Sequence, residues 1–288
     1  MSIGIKVKKG LDIHLAGGIP ADAKETECRC ATVAIVPDDF TGLIPKMELR
    51  EGDTVKSGQP LFHSKLDERL KITSPVSGTV KAVVRGERRK ILRVVVEAGA
   101  GEAVRFDVKG SLSDKTSARE ALLASGLWAM LRQRPYDIVP AADARFRDIF
   151  VSGFDSAPLA WNKSSYSKED IKALEAGVKL LSLLSEGKVY VSRRPDSALP
   201  DLAGAEMLDI TGPHPASNVG TAIAAVKPVN KGETVGCLDI ETLRRIGNLA
   251  LTGTVDFSTT VAVTGSEVKN PSLVTTLIGA EMSVLLKD

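Results

Sequence analysis

Trp128, Met130, Arg132, Arg134 and Tyr136 alternate apolar surface with groups that donate hydrogen bonds, all within nine residues. Such a run can set an apolar wall beside donors aimed at the carbonyl oxygens of a planar ligand, where negative charge grows on reduction. The alternative is ordinary packing, with Trp128 and Met130 in the core and the arginines on a solvated face. His214 lies between Pro213 and Pro215, which restrict the backbone and fix where the imidazole points. Its ordinary pKa suits proton transfer or hydrogen-bond donation, although a lone loop histidine also serves simply as a hydrogen-bonding group. Asp38-Asp39 form an acidic pair after a strand, a feature that either binds a cation or is merely solvated. Cys28-x-Cys30 lacks the further ligands of a zinc or iron–sulfur site, and Cys237 stands far away, so no metal is expected. Ser/His/Asp groupings with motif support, His-Glu-x-x-His and Gly-x-Gly-x-x-Gly are all missing.

The composition narrows the possibilities. A chain of 288 residues can build two modest domains, and 43% hydrophobic with 26% charged residues describes an ordinary globular protein. A net charge of +2 and 4% aromatic residues supply neither the field nor the stacking surfaces that nucleic-acid binding needs, so no nucleic-acid partner is expected. The opening Met1-Ser2-Ile3-Gly4-Ile5 has no signal-peptide apolar core, and no apolar run is long enough to span a bilayer, which predicts a cytoplasmic location.

The elements that must position these residues fall into two sets. Up to about Val108 the pattern is β: Gly52-Asp53-x-Val55-x-x-Gly58-Gln59-x-Leu61, answered by Ser74-Pro75-x-x-Gly78-x-Val80, is the pattern of a lipoyl- or biotinyl-type barrel. Between its halves runs Lys65-Leu66-Asp67-Glu68-Arg69, with Asp67 where a carrier domain presents its modifiable lysine. That suggests a scaffold; a carrier using Lys65 or Lys71 is the alternative. Val83-Val84 and Ile91-Leu92 flank a hairpin whose basic tip, 85–90, reads as a solvated turn. From about Gly110 the period becomes helical. Ser117 with Glu120 reads as a capping box opening a helix through Leu122, Leu127 and Leu131 to Pro135, and Ser167 with Asp170 opens a second that ends at Gly187. Strands are expected at 148–153, 188–192, 206–210 and 260–264, with a helix at 239–247. Strand, helix and strand in succession imply a parallel or mixed α/β sheet, with ligands at the carboxyl ends of its strands, after Val151 and around 211–215.

In their order along the chain, several motifs resemble one family. They are Lys8-Lys9-Gly10-Leu11-Asp12-Ile13-His14-Leu15-Ala16-Gly17, the barrel segment, Ser125-Gly126-Leu127-Trp128 with Arg134-Pro135, Gly212-Pro213-His214-Pro215-Ala216 with Val219-Gly220-Thr221, and Ile246-Gly247 before Leu251-Thr252-Gly253. The chain resembles, over essentially its whole length, the A (alpha) subunit of the sodium-translocating NADH:quinone oxidoreductase. The resemblance implies an α/β plus β architecture: a lipoyl/biotinyl-like barrel-sandwich domain at 1–110, a Rossmann-like α/β domain at 111–265 related to the flavin subunit of complex I, and at 266–288 the opening of a β-grasp-like domain, the chain being shortened at its C-terminus. It implies a peripheral location on the cytoplasmic side of the bacterial inner membrane. The implied partners are membrane subunits, above all the B subunit, in a complex that uses NADH, flavins, iron–sulfur centres, quinone and Na+.

In the flavin-binding relatives a glycine-rich loop wraps the flavin phosphate; here the corresponding stretch is Gly126-Leu127-Trp128-Ala129-Met130-Leu131-Arg132-Gln133-Arg134-Pro135. Bulky side chains fill the cradle, so neither FMN nor a direct NADH site is expected, and the chain alone should catalyse nothing. Thr221-Ala222-Ile223-Ala224 also departs from the family, which usually places histidines after its Gly-Thr pair. The expected ligand is quinone, with Trp128, Met130, Arg132, Arg134, Tyr136 and His214 as candidate contacts. The rival readings are a purely structural docking role and a flavin-binding oxidoreductase component.

Overall fold

The computed structural model of the chain describes residues 2–20 and 22–286. Two small sheets build the β unit. Thr32–Ile35, Ile91–Ala98, Gly78–Arg85 and Thr54–Val55 lie side by side in one, and Pro45–Met47, Pro60–Ser64 and Lys71–Thr73 in the other. Neighbours pair antiparallel throughout, and Val33, Val55, Leu61, Phe62, Ile72, Val80, Val94 and Val96 fill the space within. The basic hairpin is present: Gly78–Arg85 pairs with Ile91–Ala98, and the tip turns through left-handed Arg88 and Arg89.

The second unit is a six-stranded sheet in the order Ile3–Lys6, Glu206–Thr211, Val189–Arg193, Ile149–Ser152, Val235–Asp239 and Arg132–Arg134. All neighbours run parallel except the last pair. Ile3–Lys6, from the segment 1–110 that the sequence reading gives to the β domain, therefore supplies an edge strand here. Helices α1 (Lys115–Ser125), α2 (Lys168–Leu184), α3 (Val219–Val226) and α4 (Ile240–Thr252) complete the layer. On one face Ile149, Val151, Val189 and Val191 pack with α2 and α4 in a core continuous with that of the barrel. On the other, Phe150, Tyr190, Leu208 and Ile210 pack with Ala222 and Ile223 of α3. A third sheet, Ser258–Val263, Ser272–Leu277 and Glu25–Glu27, joins segments from both halves of the chain.

Local chemistry explains most boundaries. Ser167 and Asp170 form the expected reciprocal cap on α2, each side chain accepting from the other's backbone N–H. Around α1 the expectation needs correction. Asp114, not Ser117, is the N-cap, accepting from the Ser117 amide at 2.7 Å, and the helix stops at Ser125 rather than at Pro135. Gly126, with φ of 80°, ends it in the left-handed region, where a side chain would be strained and would press on Thr73 Oγ1 at 3.0 Å. A 3-10 turn, Leu127–Met130, then leads into the edge strand Arg132–Arg134. The Thr73 hydroxyl donates to the Ser125 carbonyl at 3.1 Å, so the barrel is fastened to the end of α1.

Candidate functional site

The order of the sheet reverses at one place. From Ile149–Ser152 the chain passes through α2 to Val189–Arg193 and on to Glu206–Thr211. Then α3, on the opposite face, carries it back to Val235–Asp239 on the other flank of Ile149–Ser152. Such a switch point opens a crevice outside the carboxyl ends of the two diverging strands, where open α/β sheets bind their ligands. Here those ends are Ser152 and Asp239, and each lines two cavities.

The cavity of about 470 Å³ contains the chemistry anticipated for the arginine run. Phe40, Met130, Val219, Leu238 and Ile278 supply apolar wall, and Arg132, Arg134 and Arg245 also line it. Arg132 gives one amino group to the Asp39 carbonyl, while its Nη1 is buried without a partner. Arg134 lies 3.5 Å from Asp137, and its Nε likewise has no partner. Arg245 is only 4% exposed; its Nη2 donates to the Ser258 carbonyl at 2.7 Å and its Nε is unmatched. Burial pushes the Arg245 guanidinium below its usual pKa, an effect that Asp239 and Glu241 oppose. Three guanidinium groups thus meet at the wall of one cavity, each with a nitrogen unmatched within the fold, and guanidinium N–H groups are able to engage acceptor oxygens. Asp39, Asp137 and Asp239 line the same cavity, so its charges balance and a neutral carbonyl ligand suits it better than a polyanion.

The six anticipated contacts divide. Met130, Arg132 and Arg134 line this cavity. Trp128 does not: it is 1% exposed, donates its indole N–H to the Pro140 carbonyl at 3.1 Å and packs on Phe146, which leaves the wall to Phe40 and Met130. Tyr136 stands out in solvent, 75% exposed, in the turn after Arg134. His214 follows Glu206–Thr211, two strands away from Ile149–Ser152, with Nδ1 3.1 Å from the Ser156 hydroxyl and its backbone N–H donating to Asp12 at 3.1 Å. Asp12 thus engages the backbone of His214, and Ser156, His214 and Asp12 do not form a nucleophilic triad. Arg245, Phe40 and Ile278 were missed. For Arg245 a signal existed: it shares the buried stripe of α4 with Thr242, Leu243, Ile246 and Leu249.

On the other side of Ser152 and Asp239 lies a cavity of about 390 Å³, with Asp155, Trp161, Lys163, Tyr166 and Glu241 in its wall. Burial, reinforced by Glu241 and Asp170, pushes the Tyr166 phenol up to about 12, so it stays protonated at neutral pH. A third cavity, about 780 Å³, opens on the seam between the barrel hairpin and α1, beside Glu48, His63, Glu68, Arg69 and Glu120. At the tip of that hairpin Arg69 clamps the Asp67 carboxylate at 2.6 Å and holds its pKa below the usual range. Asp38 is engaged by Lys90 at 2.6 Å, and among the described residues no three His, Cys, Asp or Glu side chains are grouped to hold a metal.

Comparison with known proteins agrees with this architecture. Residues 5–99 match the NqrA N-terminal barrel-sandwich hybrid domain, 113–255 the NqrA second alpha/beta domain and 260–288 the NQRA C-terminal domain. The chain is 37% identical over 287 residues to the A subunit of the Na(+)-translocating NADH-quinone reductase of Pasteurella multocida, covering 98% of this chain and 64% of that protein. The protein of the same name from Alcanivorax borkumensis is 38% identical over 96% of this chain and 63% of its own length, and that of Neisseria meningitidis serogroup B 35% identical over 97% and 64%. The chain therefore spans less than two thirds of the length of these relatives. With three consecutive domain matches and identity sustained from end to end, the chain belongs to the NqrA family.

Proposed function

We propose that this chain serves as a membrane-peripheral component, on the cytoplasmic side, of a sodium-translocating NADH:quinone oxidoreductase, and that the switch-point cavity receives the quinone headgroup. The names of the relatives support the place in that complex, and the absence among the described helices of one long and apolar enough to cross a membrane accords with a peripheral position. The observation that carries the second is the convergence of the Arg132, Arg134 and Arg245 guanidinium groups with the apolar surface of Phe40 and Met130 on one cavity. A quinone presents two carbonyl oxygens on a flat apolar ring, and the negative charge they gain on reduction is stabilised by fixed cationic donors in a dry site. The partners are the membrane subunits of the complex, with the flavin- and quinone-bearing B subunit foremost, and electrons reach the quinone through groups held elsewhere in the assembly.

The chain's own fold argues against a flavin in the stretch that corresponds to the relatives' phosphate loop. There the amides of Ala129 and Leu131 are spent on the Gly126 and Trp128 carbonyls, and Leu127, Trp128 and Ala129 are buried. A phosphate cradle needs several free amides converging on one point. The parallel sheet with its switch point supports common descent with the complex I flavin subunit, with the nucleotide site since filled.

Photolabelling the assembled complex with an azido-quinone tests the reading. Label on the peptides around Met130–Arg134 and Leu238–Arg245 is the expected outcome. Label confined to other subunits would leave this chain with a docking role only.

A further inference from the structure

We propose that the segment 8–16 is a docking strip for an anionic lipid surface. It rests on the membrane-peripheral reading above and names the face that makes the contact. The segment forms no helix or strand, and each of its nine residues is exposed. Leu11, Ile13 and Leu15 recur at every second position with exposures of 67%, 52% and 55%. Scattered exposed aliphatics are ordinary; three in alternation on one short stretch form a patch.

This stretch is held in place. The Leu11 amide donates to the His214 carbonyl at 3.0 Å, Asp12 accepts from the His214 amide at 3.1 Å, and the Gly265 amide donates to the Gly17 carbonyl at 2.9 Å. Gly10 lies so close to the His214 carbonyl that a Cβ there would stand 2.0 Å from its oxygen. The apolar side chains are thus presented from a fixed backbone, and little ordering entropy remains to be lost on docking.

Charge selects the occupant. Lys6, Lys8 and Lys9 are exposed and make no ion pair among the described residues, while Asp12, the one acid within 8–16, is turned onto the backbone of His214. Aliphatic side chains flanked by unpaired lysines match a bilayer interface, where acyl chains accept the former and anionic headgroups the latter. A lipid surface also needs no shaped pocket for three separately exposed side chains, and the chain reaches it without a spanning helix, since none of the described helices is long and apolar enough to cross a membrane.

The test is flotation of the 288-residue chain with vesicles of phosphatidylcholine alone or mixed with phosphatidylglycerol. The wild type should partition at least about tenfold more strongly onto the anionic vesicles, each lysine contributing roughly fivefold near the surface. L11S/I13S/L15S should lower that partition about tenfold without changing the melting temperature, and K6Q/K8Q/K9Q should remove the preference for anionic lipid. Failure of the wild type to float with either vesicle, or unchanged binding by the triple serine variant, would overturn the proposal. If the triple variant instead loses copurification with detergent-solubilised membrane subunits while vesicle binding persists, the strip meets protein and the lipid assignment fails. A wild type that floats with anionic lipid yet never copurifies with those subunits would sink the functional reading and leave this one standing.

Discussion

Replacing Gly247 with alanine should destabilise the protein, although alanine is the better helix former. Gly247 on α4 and Gly177 on α2 face each other where the two helices cross. A Cβ at 247 would stand 1.7 Å from the Ala173 carbonyl oxygen and 2.9 Å from the Gly177 nitrogen, and one at 177 would stand 2.4 Å from the Leu243 oxygen. Real Cβ atoms do not sustain contacts under 3.0 Å, and these neighbours are backbone, which cannot swing aside. The helices must therefore part by about 1.3 Å, enough to forfeit roughly half or more of the dispersion energy of each contact across the seam. That seam includes Leu174, Val178, Leu181, Leu243 and Ile246, all buried. Overpacking costs about 3 kcal/mol or somewhat more at such a backbone contact, against about 1 kcal/mol gained in helix propensity. A net loss of about 2–3 kcal/mol corresponds to a melting temperature lower by roughly 5–10 °C. Thermal unfolding followed by circular dichroism measures it, with Gly220→Ala as the control: nothing lies within 4 Å of that Cβ in α3, so the same change there should be neutral or stabilising. A Gly247→Ala protein that melts at or above the parent temperature would refute the close-crossing argument. It would also remove the reason for regarding the N-terminal half of α4, which carries Thr242 and Arg245 to the cavity, as rigidly placed.

Three further outcomes are expected. Asp148 is buried; burial alone would raise its pKa, but the Lys188 amide, Lys227 at 3.1 Å and Arg147 at 2.7 Å outweigh that and hold it below the usual range. A depressed folded pKa gives stability that is present above the unfolded value of about 3.9 and is lost as pH falls through the folded one, so acid unfolding should begin below about pH 4. Asp148→Asn should cost about 3 kcal/mol at neutral pH and flatten that acid limb, both readable from urea titrations at a series of pH values. Arg245→Met should lower azido-quinone labelling of this chain by at least about tenfold while costing only about 1 kcal/mol for the lost bond to the Ser258 carbonyl, because a buried charge gives way to an apolar side chain of similar length. Equal labelling of parent and variant would remove Arg245 from the site. Intact mass spectrometry of the chain should return the sequence mass, and added lipoyl or biotinyl mass on Lys65 or Lys71 would restore the carrier alternative.

What could be read from the sequence is what local chemistry decides. The barrel was legible because its turns need residues that tolerate left-handed backbone, as Gly52 and Gly58 do with φ of 89° and 85°, and because a strand such as Thr32–Ile35 alternates inward and outward. The boundaries of α2 were nearly right, since Ser167 and Asp170 satisfy each other wherever the rest of the chain goes. Beyond Gly126 the reading failed for a physical reason: the 3-10 turn buries Leu127, Trp128 and Ala129 with nearly the spacing a helix would, so periodicity continues while the helix does not. Arg132–Arg134 carries no apolar alternation at all; it is a strand only because Val235–Asp239 offers an antiparallel edge, and α3 and that strand also went unnoticed. The cavity was less legible still. Its wall is gathered from 39–40, 129–137, 152, 219, 237–245 and 278, and no spacing within one segment encodes such a meeting. Only residues that violate their own local pattern announce it from afar, and Arg245, a guanidinium set in the apolar stripe of an otherwise regular helix, is the one that does. A buried charge is tolerated when something compensates it. Here the Ser258 carbonyl answers one amino group, and the nearby carboxylates of Asp239 and Glu241 oppose the effect of burial.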